Sequence, residues 1–256
     1  RQPSGLILLN GPTGSGKTTA IYSALCHLID IHGPTISIST VEDPVEFNLP
    51  MISQSQISNS RGFTYPKALR SLMRQDPEAI MIGEIRDAET AAIAVQAGLT
   101  GHMIFSTIHS DSTAGVYARL INMDIEPFLL ASSVTGVLGL RLLRTICPGC
   151  KIQTQPNPEY LSLLPDGFAE ENEFYTGTGC DSCSQTGYLG RVAATELLNS
   201  SEAVREGVIQ KLRTSKLHDI AIEQGMTTLW QNAMAKVQRG ITSLEEVIRV
   251  ISINQL

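Results

Sequence analysis

A glycine-rich segment near the start of the chain has the residue types and spacing that bind phosphate. Residues 11–18 read GPTGSGKT, which fits the pattern G-x-x-x-x-G-K-[ST]. In this pattern the glycines let backbone N–H groups curl around phosphate oxygens, Lys17 reaches the β- and γ-phosphates, and the Thr18 hydroxyl binds Mg²⁺. The sequence therefore predicts that the chain binds a nucleoside triphosphate. The predicted binding residues are Gly11, Pro12, Thr13, Gly14, Ser15, Gly16, Lys17, Thr18 and Thr19.

Two acidic segments are candidates for the rest of that site. The segment EAIMIGE, residues 78–84, contains a short apolar run, after which nucleotide hydrolases usually place an Asp that holds Mg²⁺ and often a Glu that handles water. Here Gly83 stands in the first place, and only Glu84 is charged. The segment STVEDPVEF, residues 39–47, could supply the second carboxylate from another strand, with Glu42 as the candidate. A solvated acidic turn would explain this segment equally well.

Two histidines flank a predicted strand in the segment TGHMIFSTIHSD, residues 100–111. Beside a triphosphate, His102 and His109 could sense the γ-phosphate or hold the attacking water. The ordinary alternative is that both are structural or surface residues. The candidate catalytic groups are Lys17, Glu42, Glu84, His102 and His109.

Four cysteines form two C-x-x-C pairs, Cys147 with Cys150 and Cys180 with Cys183, and 29 residues separate the pairs. Four thiolates in this arrangement suit a closed tetrahedral Zn²⁺ site with a structural role. A redox dithiol or unmetallated thiols are the alternatives, although the thioredoxin-like context of a dithiol is not seen. The pattern predicts structural zinc in a protein of a reducing compartment.

Alternating strands and helices must position the phosphate loop. Apolar strands are predicted at 5–10, 35–40, 79–84 and 103–108, and helical patterns lie between them at 17–30, 65–75 and 88–98. This alternation predicts an α/β fold with a mostly parallel sheet flanked by helices. Asp87 is predicted to begin the third helix and Gly98 to end it.

The character of the sequence changes after residue 145, which predicts three consecutive segments. These are an α/β core at 1–145, a tetracysteine segment at 146–198 and a helical region at 199–256. In the last of them Ser243 and Glu246 are predicted to form a capping box. Because the chain begins at an arginine directly before a core strand, we expect that N-terminal domains of the full protein are missing from this sequence.

Composition limits the classes of partner. The chain has 256 residues, a net charge of −6 and only 5% aromatic residues, which argues against a nucleic-acid partner that would need cationic contacts and stacking rings. The longest apolar stretch, residues 127–140, is too short and too mixed to span a bilayer.

Several segments together resemble the secretion ATPase superfamily and, within it, the type II secretion and type IV pilus assembly ATPases. They are GPTGSGKTT, STVEDPVEF and two longer stretches at 69–110 and 125–150. The resemblance maps four family motifs onto this sequence: a Walker A loop at 11–19, an Asp box at 40–46, an atypical Walker B with Gly before Glu at 80–87, and a His box at 100–109. Assembly-type members also carry the tetracysteine segment, whereas retraction-type pilus motors lack it.

The resemblance implies a RecA-like P-loop ATPase that uses ATP and Mg²⁺ and works as a homo-hexamer. It also implies a place on the cytoplasmic face of the bacterial inner membrane, with a platform protein and a cytoplasmic-face recruitment protein as partners. We favour Glu42 as the group that takes a proton from water and Glu84 as the group that holds the Mg²⁺ hydration shell, although the reverse is almost as well supported. The residues leave two other functions open: a RecA-like nucleic-acid motor with a zinc module, and a nucleotide-gated scaffold.

Overall fold

The computed structural model describes residues 4–161, 164 and 173–251, which form an α/β fold. The strands in this part of the chain are β1 (Gly5–Asn10), β2 (Ile38–Glu42), β3 (Ser53–Gln56), β4 (Ala79–Ile82), β5 (Met103–Ile108), β6 (Val134–Ile146), β7 (Lys151–Thr154), β8 (Phe174–Gly177) and β9 (Tyr188–Asn199). The helices are α1 (Lys17–His32), α2 (Tyr65–Leu72), α3 (Ala88–Leu99), α4 (Gly115–Ile121), α5 (Pro127–Ser133), α6 (Pro158–Leu161), α7 (Glu202–Ile209), α8 (Thr214–Glu223), α9 (Leu229–Gln238) and α10 (Leu244–Val250).

The main sheet has the strand order β3-β2-β4-β5-β1-β6-β9. The neighbouring pairs β2–β3, β2–β4, β4–β5, β5–β1 and β1–β6 all run parallel. Because these strands point the same way, the segments that follow them meet at one edge of the sheet, which we call the carboxyl edge. The prediction of a mostly parallel α/β sheet is confirmed.

The apolar strand patterns correspond to buried central strands. The central positions Leu6, Leu8, Ile80, Ile82 and Ile104 are fully buried, as expected for parallel strands covered by helices on both faces. The predicted strands at 5–10 and 103–108 match β1 and β5 residue for residue. The edge strand β3 reads SQSQ and has no apolar periodicity, so the hydrophobic pattern did not indicate it.

For helix α3, the predicted start is correct and the predicted end is wrong. Asp87 is its N-cap, and the Asp87 carboxylate accepts a hydrogen bond of 2.8 Å from the backbone N–H of Thr90. Gly98 does not end the helix, which continues to Leu99. A Cβ at position 98 would lie 3.3 Å from the backbone carbon of Gly5, so this glycine allows α3 to pack closely on β1.

The chain forms two compact units, each assembled from separate parts of the sequence. The first comprises residues 1–139 and 197–226, and the second comprises residues 140–196 and 227–256. The three consecutive segments predicted from composition differ from this grouping, since the helical region is divided between the two units. The first unit has its core around the main sheet. The core of the second unit includes Leu143, Ala194, Trp230, Val237 and Val247.

Among the described residues, no helix has both the length and the apolar character that crossing a membrane requires.

Candidate functional site

The phosphate loop lies between the end of β1 and the start of α1, at the carboxyl edge of the sheet. Gly14 and Gly16 have φ angles of 78° and 93°, a region that glycine adopts without the strain of a side chain. The Ser15 N–H donates to the Pro12 carbonyl at 3.2 Å and closes the turn. The glycines of the motif therefore have a conformational purpose at these two positions.

The groups around the loop fit a bound anion. Helix α1 has 16 residues, and its N-cap Gly16 offers no side chain to the N–H groups of the first turn. The Ser15 hydroxyl is buried and has no hydrogen-bond partner within the described residues. Uncapped N–H groups at the positive end of a helix dipole favour a phosphate, which would also give the Ser15 hydroxyl a partner.

Lys17 is held against its own loop. Its ammonium group donates to the carbonyl oxygens of Gly11 at 2.7 Å and Pro12 at 2.9 Å. This geometry keeps the positive charge at the mouth of the loop. For Lys17 to reach a β- or γ-phosphate, the ammonium group must exchange these carbonyl oxygens for phosphate oxygens.

Hydrogen bonds between the strand ends bring the other predicted residues to the same edge. The side-chain oxygen of the buried Asn10, at the end of β1, accepts from the Ser110 N–H at 3.0 Å, directly after His109. The Gly83 N–H donates to the Val41 carbonyl at 2.8 Å, which joins the end of β4 to the end of β2. Glu42, Glu84 and His109 thus lie at the carboxyl ends of β2, β4 and β5, on the same edge of the sheet as the phosphate loop.

The Glu42 carboxylate is buried, with only 2% of the residue exposed, and it accepts three side-chain hydrogen bonds. The Tyr22 hydroxyl donates to Oε2, while the Thr40 hydroxyl and the Gln54 amide donate to Oε1, the last at 3.1 Å. A buried carboxylate needs such donors to offset the lost hydration. Glu42 was predicted from the sequence, whereas Tyr22 and Gln54 were not.

Glu84 lies in a more open environment, with 17% of its side chain exposed, and pairs with the exposed Arg86. The hydrogen bond with Glu84 is the main reason that the pKa of the Arg86 guanidinium is raised. The two candidate carboxylates therefore differ in kind, because one is enclosed by neutral donors and the other is paired with an exposed cation.

A tyrosine lies beside Gly83, where the sequence pattern led us to expect an aspartate. A Cβ built at Gly83 would lie 2.7 Å from the Tyr65 hydroxyl oxygen and 3.4 Å from the Glu42 Cα. Burial, and then the nearby carboxylates of Glu84 and Asp43, raise the pKa of Tyr65, so the hydroxyl stays protonated. Tyr65 thus brings a neutral donor group to the position where a carboxylate was expected.

The two predicted histidines lie at opposite edges of the sheet. His109 is exposed at the carboxyl edge, after β5. His102 precedes β5: its carbonyl accepts from the Gly5 N–H at 3.0 Å, and its Nδ1 lies 3.2 Å from the Ala97 carbonyl. Since a strand rises about 3.3 Å per residue, β5 separates the two histidines by roughly 20 Å. Within this chain, His102 is not brought to the phosphate loop.

The four predicted cysteines come together in the second unit. The antiparallel pair β7–β8 aligns Lys151 with Gly177, which places the turn ending at Cys150 beside the turn that begins at Cys180. All four sulfur atoms lie within 4.8 Å of one another. The individual separations are 3.8 Å for Cys147–Cys180, 3.9 Å for Cys150–Cys183 and 3.8 Å for Cys180–Cys183. These distances are far beyond the roughly 2.05 Å of a disulfide bond.

Backbone N–H groups point at the cysteine sulfurs. The Cys180 and Gly187 N–H groups donate to the Cys183 sulfur, each at 3.3 Å, and the Gly179 N–H donates to the Cys150 sulfur at 3.3 Å. Although burial acts to raise the pKa of Cys183, the Cys180 and Gly187 N–H groups contribute to lowering it to about 6, whereas burial raises the pKa of Cys150 to about 11. The cluster has the donors that stabilise thiolates, the form in which cysteine binds metal.

The chain belongs to the type II/IV secretion system protein family, whose model matches residues 1–249. It is 43% identical to the type II secretion system ATPase E of Vibrio cholerae over 250 residues, which cover 98% of this chain and 49% of that protein. It is 41% identical to the type IV pilus assembly ATPase PilB of Thermus thermophilus over 249 residues, which cover 96% of this chain and 28% of that protein. The chain thus spans half or less of the length of these relatives.

Two solved structures have a similar fold. The pilus retraction motor PilT with bound ADP has a TM-score of 0.67 and 27% identity, and the match covers 96% of this chain and 61% of that one. The DotB ATPase of Legionella pneumophila has a TM-score of 0.69 and 22% identity, with 96% and 59% covered. These structures agree with the α/β fold described above.

Proposed function

We propose that this chain is the ATP-hydrolysing part of a motor that drives type II secretion or type IV pilus assembly. The observation that carries the proposal is the carboxyl edge, where the phosphate loop follows β1, Glu42 ends β2 and Glu84 follows β4 in one sheet with parallel neighbouring strands. The relatives named as secretion and pilus-assembly ATPases support the same function.

In the proposed reaction a water attacks the γ-phosphorus of ATP, the bond to the β–γ bridging oxygen breaks, and ADP and phosphate leave. The loop N–H groups and the Lys17 ammonium group offset the phosphate charge. We assign Glu42 to orient the water and take its proton. Within the described residues Oε2 accepts only from Tyr22, so one of its lone pairs can accept a hydrogen bond from the water.

Mg²⁺, when bound, would supply positive charge beside the β- and γ-phosphates. The residues suited to hold it are Thr18, in the first turn of α1, and Glu84, acting through the ion's hydration shell. The carboxylate of Glu84 would then share its charge between the ion and Arg86. His109, exposed at the same edge, is assigned to the γ-phosphate end of the nucleotide.

The experiment that tests this function compares Glu42→Gln with Glu84→Gln in steady-state ATP hydrolysis and in binding of a fluorescent ATP analogue. Glu42→Gln should lower kcat by roughly 10²- to 10⁴-fold, because the amide cannot accept the proton, and should change nucleotide affinity little. Glu84→Gln should raise the Mg²⁺ concentration needed for half-maximal rate.

Intact hydrolysis in Glu42→Gln together with complete loss in Glu84→Gln would exchange the two roles. Lys17→Ala serves as the binding control, since it should abolish binding of the analogue. A wild-type protein that binds no nucleotide at millimolar concentration would remove the proposed function altogether.

We further propose that the motor works as a homo-hexamer on the cytoplasmic face of the bacterial inner membrane. A platform protein in that membrane and a cytoplasmic-face recruitment protein would be its partners, and no nucleic acid is required. Membership of the secretion family supports this arrangement.

For the cysteine cluster we propose a structural Zn²⁺ held by Cys147, Cys150, Cys180 and Cys183. Four sulfurs at about 2.3 Å from a central zinc form a tetrahedron with an edge of about 3.8 Å. The three measured separations of 3.8 to 3.9 Å agree with that edge. Because all four positions are protein ligands, the ion would stabilise the second unit and would not take part in hydrolysis.

A further inference from the structure

Tyr22 links the helix of the phosphate loop to the buried glutamate. It lies on α1, five residues after Lys17, and only 2% of the residue is exposed. Its hydroxyl donates to Oε2 of Glu42, at the end of β2. A movement of α1 when a nucleotide enters the loop would therefore reach the Glu42 carboxylate through a single hydrogen bond.

Gln54 holds the same carboxylate from the other side. It lies on the edge strand β3, and its amide nitrogen donates to Glu42 Oε1 at 3.1 Å and to the Phe47 carbonyl at 3.2 Å. Its amide oxygen accepts from the Leu49 N–H at 2.6 Å. One side chain thus fixes both the carboxylate and the loop that follows it.

An aromatic contact also joins Tyr22 to the loop that Gln54 holds. The Phe47 ring packs edge-on against the Tyr22 ring, with 4.7 Å between the ring centroids and 84° between the ring planes. Burial, and then the hydrogen bond to Glu42, raise the pKa of Tyr22 to about 12, so this hydroxyl donates throughout the neutral range. Tyr22 is thus a permanent donor and cannot itself take a proton from water.

We propose that Tyr22 and Gln54 are positioning residues for ATP hydrolysis, which orient the Glu42 carboxylate and couple it to the phosphate-loop helix. The inference rests on the proposed hydrolysis and on the role assigned there to Glu42. Tyr22 on Oε2, and Gln54 together with Thr40 on Oε1, restrict the rotation of the carboxylate, so that the remaining lone pair of Oε2 keeps one direction. A carboxylate that has lost the Tyr22 or the Gln54 donor would sample orientations that cannot accept a proton from water.

The test is to measure kcat and nucleotide affinity of the Tyr22→Phe variant of the full-length protein. This change keeps the ring and its contact with Phe47 and removes only the hydroxyl. We expect kcat to fall roughly 10- to 100-fold, the effect of losing a hydrogen bond to a charged group, while the affinity for a fluorescent ATP analogue changes less than twofold. Ser23→Ala is the matched control, because it removes an exposed hydroxyl from the next residue of α1 and should leave kcat unchanged.

A double-mutant cycle with Glu42→Gln separates positioning from a merely structural role. If Tyr22 acts through Glu42, adding Tyr22→Phe to Glu42→Gln should lower the single-turnover rate no further. Gln54→Met is the second variant, for which we expect the same pattern. An unchanged kcat in Tyr22→Phe, or an equal loss in both backgrounds, would overturn this inference and leave the proposed function intact. Full activity in Glu42→Gln would instead overturn the role assigned to Glu42.

Discussion

At the scale of single residues, position 83 decides what kind of carboxylate site this edge of the sheet can hold. The Gly83 N–H is bonded to the Val41 carbonyl, so its Cα lies against the end of β2 beside Glu42. The space in front of it is taken by the Tyr65 hydroxyl. An aspartate at this position would have to displace Tyr65, which supports the proposal that Glu42 of β2 supplies the second carboxylate.

This arrangement predicts that a side chain at position 83 lowers stability and ATP hydrolysis, and that a second substitution at Tyr65 restores both. Gly83→Ala places a methyl group 2.7 Å from the Tyr65 oxygen, so we expect it to cost about 1 kcal/mol of stability and to lower ATP hydrolysis several-fold by displacing Tyr65 and Glu42. Adding Tyr65→Phe removes the clashing oxygen and should restore most of both. Thermal unfolding and steady-state hydrolysis of the two single variants and the double variant check this. An equal loss in Gly83→Ala and in the double variant would show that the methyl group meets something other than Tyr65.

Residue patterns predicted the candidate catalytic residues of the site more readily than the residues that hold them in place. Glu42 follows an apolar strand, and parallel strand ends share an edge, so this residue could be predicted to lie near the loop. The same rule places His102 at the opposite edge of the sheet, since it precedes a strand that runs parallel to β1. Tyr22 and Gln54 carry no local signal, because their bonds to Glu42 span 20 and 12 residues and depend on how α1 and β3 pack.

At the scale of secondary-structure elements, helix α10 is anchored by a charge that the capping pattern did not explain. The Ser243 hydroxyl accepts from the Glu246 N–H at 3.2 Å, as the predicted capping box requires. The Glu246 carboxylate, with a fully buried side chain, instead accepts from Arg249 at 2.7 Å and from the Arg144 side chain at 2.7 and 2.9 Å. The Arg144 backbone N–H donates to it as well, at 2.9 Å. This glutamate joins α10 to β6 within the second unit.

These contacts predict how the second unit responds to acid. Although burial acts to raise the pKa of Glu246, the hydrogen bonds from Arg249 and Arg144 lower it from 4.5 to about 2. The stabilisation is therefore fully present above about pH 4.5 and is lost as the pH falls toward 2. Its size is on the order of 2 kcal/mol, because the two arginines are partly exposed and screened by solvent.

Glu246→Gln should lower the free energy of unfolding at pH 7 by about 3 kcal/mol, since two arginines lose a buried partner. It should also flatten the loss of stability between pH 4.5 and 2. Urea unfolding over that pH range measures both effects. Glu245→Gln, on the same turn, is the matched control and should change stability by less than about 0.5 kcal/mol. A Glu246→Gln protein with the wild-type pH dependence would contradict this account of the ion pairs.

At the scale of the whole molecule, the two proposed sites belong to different compact units. The phosphate loop, Glu42, Glu84 and His109 lie in the first unit, and the four cysteines and the Arg144–Glu246–Arg249 group lie in the second. The order of segments along the sequence does not predict this grouping, because residues 197–226 belong to the first unit and residues 227–251 to the second. The unit to which each C-terminal helix belongs depends on the core that it joins, which is a long-range property without a local pattern.

The division predicts that loss of metal will affect stability and nucleotide binding unequally. Cys183→Ser should abolish the binding of one equivalent of zinc, as measured by elemental analysis, and should lower the Tm of the second unit on the order of 10 °C, because structural zinc contributes directly to folding. Binding of a fluorescent ATP analogue should stay within twofold of wild type, since every loop residue lies in the first unit.

Cys26→Ser, on α1 and outside the cluster, is the matched control and should retain the metal. Wild-type protein with well under one equivalent of zinc and four titratable thiols in the cluster would rule out the metal centre. Loss of nucleotide binding in Cys183→Ser would instead show that the first unit requires the second in order to fold.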